Sequence, residues 1–451
     1  MPGRFRPGDD GAHRRHWKRF PARATIGGDR PPFDLPPMRA LTFDVTIPGF
    51  VRARTLGRFT EAATFGPFSN LRVRDLPEPA LRGEGWVRLK VLACGICGTD
   101  LANLTFSSSP MMEPFGSFPA VLGHEILAEV DEVGPGVSHV EPGQRVAVDP
   151  FISCRVRGRT GAERCASCRD GYHATCELAG EEGAGPAEPL RRGLTIGYHA
   201  DLPGGWAEFI VAHESQLFPV DDALSDRAAV LVEPLSIGVH ALLQAPAEDP
   251  ECDVLVVGSG PIALGTIWAL RAAGHRGTIV AQTKRDHEAD LALMMGADEC
   301  VRPGPEARQV LVETGALAYQ PIVGDEVFSG GGFPVIYDCV GNQGSLEQAL
   351  RFAAPRGRIV MLGCAAEIPK LDLTLLWARE LELRGFVGYG QESWRGETRH
   401  TFEVTLELLK ESDAPVERLV THSFPLDQYR DALSAAANRR RSGALKVILE
   451  P

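Results

Sequence analysis

The sequence has no excess of positive charge. Its 47 Lys and Arg are outnumbered by 59 Asp and Glu, for a net charge of −12. That excludes a broad nucleic-acid-binding face and suits a small-molecule partner. It also lacks an unbroken apolar run long enough for a bilayer. The longest candidate, residues 254–274, is interrupted by Gly258, Gly260 and Pro261, which read as a strand, a tight turn and a new helix. No export signal is recognisable, so the ten cysteines are expected to serve metal rather than disulfides. Internal repeats are absent as well. The expectation is a soluble, cytoplasmic protein with no membrane partner.

What is present is a long chain, 451 residues at 44% hydrophobic and 24% charged, enough for two or three domains. Residues 1–37, rich in Arg, Pro and Gly without apolar periodicity, predict a disordered tail. Its aspartates and prolines count against a transit peptide, and Met38 resembles a natural start. Residues 38–231 show short alternating apolar segments broken by Gly and Pro, which predict a β-barrel-like domain. Within it, residues 48–66 read as a long connection between strands, and residues 150–180 as a cysteine lobe. Over 232–380 strand-like runs alternate with helix-like ones, the pattern of a parallel sheet covered on both faces. Helices are predicted over 261–273, 286–295, 345–352, 401–410 and 426–438. Residues 381–451 end on an apolar run, 445–449, that can return to the first domain.

Four motifs carry chemistry. The first runs from Cys94 to Glu125, reading CGICGTD and later GHE. Cys97 and His124 are metal-ligand types, and Thr99 and Glu125 can handle protons, so the stretch predicts most of a catalytic zinc site. Cys94 and Cys97 also form a CxxC, but a redox motif belongs at a helix start after a βαβ strand, and these flanks are β-rich. The second is Cys154, Cys165, Cys168 and Cys176, four thiols on one polar loop that suit a closed tetrahedral zinc site. The third is Glu233, a carboxylate inside an apolar run. It is either a cation ligand or a helix-start acid satisfied by the backbone, with Pro234 in the first turn.

The fourth is Gly258-Ser-Gly260-Pro261-Ile262-Ala263, after a strand and opening a helix, the context of a dinucleotide fingerprint. Gly258 permits the turn and Gly260 the approach of a pyrophosphate, while Ala263 replaces the third glycine. The second strand ends Gln282-Thr283-Lys284-Arg285, with no carboxylate for a ribose 2′-hydroxyl and two cations in its place. This leans toward NADP over NAD, with Lys284 or Arg285 meeting the 2′-phosphate.

These motifs in this order, with GGWAEF at residues 204–209 and EPLS at 233–236, resemble the zinc-dependent medium-chain alcohol dehydrogenases over residues 38–451. The resemblance implies an α/β chain with a GroES-like β-barrel catalytic domain and a Rossmann doubly wound nucleotide domain. It implies Cys97, His124 and Glu233 as ligands of a catalytic zinc, with Glu125 able to coordinate or exchange with water. Thr99 would take the alcohol proton, Asp100 would orient a ligand, and Cys94 would not bind metal. Glu233 as ligand marks the polyol, threonine and glucose dehydrogenase branch. Two zincs per chain, NADP or NAD, and a homodimer or homotetramer follow from the same resemblance. So does hydride transfer between NAD(P)⁺ and a secondary alcohol, polyol or amino alcohol. Two departures stand out. Ala102 replaces the histidine that often follows TDL, and Cys154 is spaced far from Cys165, which could loosen that ligand. A zinc-independent quinone or enone reductase of the same fold, or a non-catalytic dinucleotide-binding protein, are the competing readings.

Overall fold

A computed structural model describes residues 35–185, 189–364 and 367–451. The expectations for a disordered tail or a transit peptide over residues 1–37 fall on residues before these as far as residue 34; residues 35–37 are described, and Pro37 already opens the strand Pro37–Phe43, opposite Pro77. The alternating half forms a six-stranded sheet in the order Glu299–Val301, Ile279–Gln282, Val254–Val257, Phe333–Asp338, Ala353–Met361, Glu382–Gly385. All neighbours run parallel. By position in the chain this is the order 3-2-1-4-5-6, which turns back beside Val254–Val257. That central strand is buried at every residue, as a parallel strand covered on both faces must be. The helices Val232–Gln244 and Pro261–Ala272 pack side by side, closely enough that a Cβ on Gly238 would meet Thr266 backbone at 2.9 Å.

The β-rich half is built on a mostly antiparallel sheet. Its path is Val420–Pro425, Lys446–Glu450, Trp86–Gly95, Glu125–Val133, Arg145–Val148, Leu217–Pro219, and Phe209–His213 also pairs with Trp86–Gly95. The last strand of the chain therefore lies against the first half, with Ile448 opposite Gly95 and Leu449 opposite Cys94. The apolar run at 445–449 earns this place because every residue from Leu445 to Leu449 is buried.

Several elements differ from the sequence expectation. Residues 48–66 are not a plain connection: a helix spans Ile47–Leu56, capped where Thr46 Oγ1 accepts from Gly49 N–H at 3.1 Å, with proline in its first turn. Those start signals were hidden by weak amphipathicity. Helix Pro305–Glu313 and hairpin Gln391–Trp394/Glu397–His400 were also not anticipated. The hairpin is pinned by a buried acid, Glu392, whose Oε1 lies 2.5 Å from His240 Nδ1 and accepts from Thr401 Oγ1 at 2.8 Å. Among the described residues no helix is long and apolar enough to cross a membrane.

Candidate active site and metal centres

The cysteine lobe is the simpler of two clusters. The ligand atoms of Cys154, Cys165, Cys168 and Cys176 all lie within 4.8 Å of one another. None is in a disulfide, and the Cys154 and Cys176 sulfurs are 3.8 Å apart. That equals the edge of a tetrahedron with ~2.3 Å zinc–sulfur bonds, against ~2.05 Å for a disulfide. Backbone amides already point at the sulfurs: Cys165 N–H donates to Cys154 at 3.3 Å and Cys168 N–H to Cys165 at 3.4 Å. Burial pushes Cys154 up to about 11, and a hydrogen bond with Cys176 plus burial push Cys168 higher still. Buried thiols that resist ionising alone are stabilised as thiolates by a divalent cation. The residues fit zinc. The wide spacing after Cys154 does no harm, because Arg157 is buried in the excursion and anchors it on Gly193 O at 2.7 Å.

The second cluster is assembled from strand ends. Cys97 caps the helix Gly98–Leu104 directly after the strand Trp86–Gly95, and His124 precedes the strand Glu125–Val133. Pairing of Gly95 with Glu125 brings the two ends together. A side chain at position 95 would collide with the Glu125 carboxylate at 1.8 Å, so glycine is required there. Gly123 has φ +93°, and a Cβ on Gly204 would strike Gly123 O at 2.4 Å. That close backbone packing explains the glycines of GHE and GGWAEF together. Cys94 is fully buried against the same glycines, and burial pushes its thiol well up. It is a packing residue.

Cys97, His124 and Glu125 place their ligand atoms within 4.8 Å of one another. Asp100, at 0% exposure, organises them: Oδ2 accepts from Cys97 N–H at 2.9 Å, and Oδ1 lies 3.4 Å from His124 Nδ1. With Nδ1 turned to Asp100, Nε2 keeps its lone pair for a metal. Burial alone would lower the His124 pKa, but Asp100 and Cys97 outweigh it and hold the imidazole well above its ordinary value. A cation in the trio takes over that proton's role, so this donor set also fits zinc.

Two acids behave differently from the expectation that both reach the metal. Glu125 stands with Cys97 and His124, yet both its oxygens are clasped by buried Lys446 Nζ at 2.5 and 2.6 Å. Glu233 lies outside the compact trio. It starts the helix Val232–Gln244, is buried, and accepts from Tyr389 Oη at 3.1 Å. Burial pushes Glu233 up to about 7, with Glu125 adding to the rise and His124 and Lys446 opposing it. It is therefore a near neighbour of the trio, and the helix-start and ligand readings remain compatible.

Thr99 Oγ1 has a partner in place of the missing histidine. Tyr198 Oη donates to Asp100 Oδ1 at 2.7 Å and lies 3.1 Å from Thr99 Oγ1, within hydrogen-bond distance. Ala102 is half-buried beside it, and its carbonyl accepts from Ser107 N–H at 2.8 Å. Tyr198, Tyr389 and Lys446 were all missed from the sequence. Only Lys446 carried a signal, as a cation alone in an apolar run.

The nucleotide loop sits at the carboxyl end of Val254–Val257. Gly258 takes φ +123°, and Gly260 caps the helix Pro261–Ala272 without any side-chain bond to its first amides. Those free N–H groups and the absent Cβ leave a cradle for an anion. At the same end of the sheet, Cys364, following Ala353–Met361, lies within electrostatic reach of Cys97, His124 and Glu233. The sheet's carboxyl ends, where such folds bind ligands, therefore lie near Cys97 and His124. After Ile279–Gln282, Thr283 is buried, Lys284 exposed and Arg285 half-buried. The strand end carries no carboxylate, but Glu288 reaches back from the next helix, pairing with Arg285 and accepting from Ser259 Oγ at 2.7 Å.

Two family models match the chain: the alcohol dehydrogenase GroES-like domain over residues 83–222, and the zinc-binding dehydrogenase over 261–403. Among curated relatives, L-idonate 5-dehydrogenase of Vitis vinifera is 28% identical, covering 88% of this chain and 96% of that one. A probable diacetyl reductase, (R)-acetoin forming, of Saccharomyces cerevisiae is 29% identical, covering 86% and 89%. A crystal structure of a zinc-binding dehydrogenase from Sinorhizobium meliloti 1021 bound to NADP superposes with TM-score 0.66 at 26% identity, over 92% of this chain and 99% of that one.

Proposed function

We propose a reaction for this chain from one premise: it belongs to the zinc-dependent medium-chain alcohol dehydrogenase family. It is an oxidoreductase that moves a hydride between an alcohol and NAD(P)⁺. The observation that carries this is the Cys97–His124–Glu125 trio, whose Cys97 and His124 lie within electrostatic reach of Cys364 at the carboxyl end of the parallel sheet. The polyol and acyloin substrates in the relatives' names support a secondary alcohol or polyol as substrate. A homodimer or homotetramer is the assembly we expect.

Cys97 and His124, with Glu233 or Glu125 completing the set, would hold a zinc ion, which when bound would supply a Lewis acid toward the alcohol oxygen. The chain's own residues do the rest. Thr99 Oγ1 accepts the hydrogen bond of the alcohol O–H and passes its proton on, and the Tyr198 hydroxyl fixes that oxygen 3.1 Å away. Asp100 holds the Cys97 backbone, faces the His124 ring and accepts from Tyr198, so one buried carboxylate sets the positions of three groups. Gly258 to Ala263 and the amides of the following helix would bind the cofactor diphosphate, and the nicotinamide would supply the hydride acceptor. Lys446 holds both Glu125 oxygens in place.

Metal analysis with a panel of secondary alcohols and polyols, read at 340 nm with each cofactor, tests this. About two zincs per chain are expected, one structural and one catalytic. Cys97→Ala should lose one of them and at least roughly 10²–10³ in turnover, the scale of one preorganised electrostatic group. A single zinc unaffected by Cys97→Ala, or full turnover after chelation, would overturn the assignment in favour of a zinc-independent reductase. No reduction with any alcohol would leave only a dinucleotide-binding protein.

A further inference from the structure

Arg439 opens the short helix Arg439–Ser442, well outside the nucleotide-binding sheet, yet its guanidinium ends at the nucleotide loop. Nη2 donates to Ser259 O at 3.4 Å, and Nη1 is the one atom that a Cβ on Gly260 would meet, at 3.4 Å. Nε is bonded to Ala444 O at 3.0 Å. Among the described residues it has carbonyl partners and no carboxylate partner. A half-buried guanidinium without a counter-ion is costly, and burial holds its pKa below the ordinary value. Such a site is completed by an anion.

The neighbourhood says which anion. Arg285 and Glu288 both act on Arg439 electrostatically, so the three share one corner of the loop. Glu288 is already committed, to Arg285 and to the Ser259 hydroxyl. Asp286 is paired with Arg302 and so is not available to the corner. Arg285 and Arg439 set against Glu288 leave one positive charge in excess, and the exposed Lys284, next to Arg285 in the chain, would raise the surplus to two. A phosphomonoester carries about −1.5 to −2 at neutral pH. A cofactor diphosphate is provided for by the free amides at the start of Pro261–Ala272, so the surplus belongs to a separate phosphate.

We propose that Arg439, recruited from the C-terminal return segment, completes with Lys284 and Arg285 a three-cation seat for the 2′-phosphate of NADP. This rests on the dinucleotide-binding reading above. It makes cofactor choice depend on a residue some 180 positions beyond the fingerprint. Arg439 crosses from the segment that carries Lys446, so the same stretch fastens both the trio's acid and the cofactor's distal phosphate.

Calorimetric binding to the zinc-loaded full chain tests it without turnover. Adenosine 2′,5′-bisphosphate probes the seat, and ADP-ribose, which has the diphosphate and no 2′-phosphate, is the control. Arg439→Gln should weaken the bisphosphate roughly 10- to 100-fold, the range for a charged hydrogen bond, and ADP-ribose less than about twofold. Arg439→Lys, which keeps the charge and the packing of the stem, should fall between, and it carries the test if the glutamine variant does not fold. Equal losses for both ligands would put Arg439 on the diphosphate and overturn the proposal, as would no loss for either. If the unmodified protein binds ADP-ribose as tightly as the bisphosphate, the NADP preference itself fails, and with it the seat. If it prefers the bisphosphate while both variants do too, only the role of Arg439 fails.

Discussion

The two metal-competent clusters are made in opposite ways. The cysteine lobe draws four like ligands from residues 154–176 and satisfies them with its own backbone amides. The trio draws unlike ligands from two strand ends, and its order is imposed from outside by Asp100, Tyr198 and Lys446. A closed site of four thiols has nothing left to offer a substrate. A site of three, with acids held back by Lys446 and Tyr389, keeps a position for one. The difference teaches that stability is stored locally in the lobe, whereas reactivity in the trio is a product of the whole fold.

Breaking the local side of that comparison should have the largest effect. Cys168→Ser is expected to release one zinc and forfeit a large part of the ~10–16 kcal/mol that such sites contribute in small peptides. Zinc content and the thermal midpoint read this together, and an unshifted midpoint would show that the lobe does not stabilise the fold. Next comes the imposed side. Lys446→Met leaves Glu125, 1% exposed, without its counter-charge, at a cost of about 3–5 kcal/mol in urea unfolding. Adding Glu125→Gln should recover most of that loss; no recovery would mean Lys446 acts through packing alone.

A third prediction concerns the loop that carries Tyr198. The next residue, His199, is buried, its Nδ1 accepts from Asp201 N–H at 3.0 Å and its Nε2 faces Arg191 O at 2.9 Å. Burial lowers its pKa from 6.5 to about 4, with Asp201 opposing. The unfolded chain therefore binds a proton between these values and the folded chain does not. Stability should be full above about pH 6.5 and fall by up to ~3 kcal/mol as pH drops toward 4. His199→Gln should flatten that slope in pH-dependent unfolding; an unchanged slope would remove His199 as its cause. The smallest effect is expected from Tyr198→Phe, which removes a hydrogen bond to a buried carboxylate worth ~1.5–3 kcal/mol. Turnover should drop roughly 10- to 100-fold with zinc content unchanged, since second-layer partners act on that scale. Loss of zinc would instead make Tyr198 a metal-organising residue.

The legible parts were those with a local physical signature. Thiols four abreast, a glycine turn between a strand and a helix, and strand–helix alternation each declare themselves within a few dozen residues. The helix at Ile47–Leu56 did not, because its apolar face is weak and its start rests on one threonine and one proline. Tyr198 did not, because nothing near it in the chain distinguishes a tyrosine that meets Thr99 from one that simply packs. Glu288 was overlooked at the adenosine end because it arrives from the following helix rather than from the strand where an acid is expected.

What the sequence determined alone is the set of chemical parts and their order: two groups of metal-ligand types, a dinucleotide turn, and a sheet of buried apolar strands. Short-range covalent connectivity suffices for these, since each part is built from neighbours in the chain. Only the tertiary structure decided which partner holds each acid. Glu125 is clasped by a lysine 321 residues away, Glu233 by a tyrosine 156 away, and the Ser259 carbonyl is met by an arginine 180 residues further on. Charges buried in a low-dielectric interior must find partners wherever the fold supplies them, and that choice is made in space rather than along the chain.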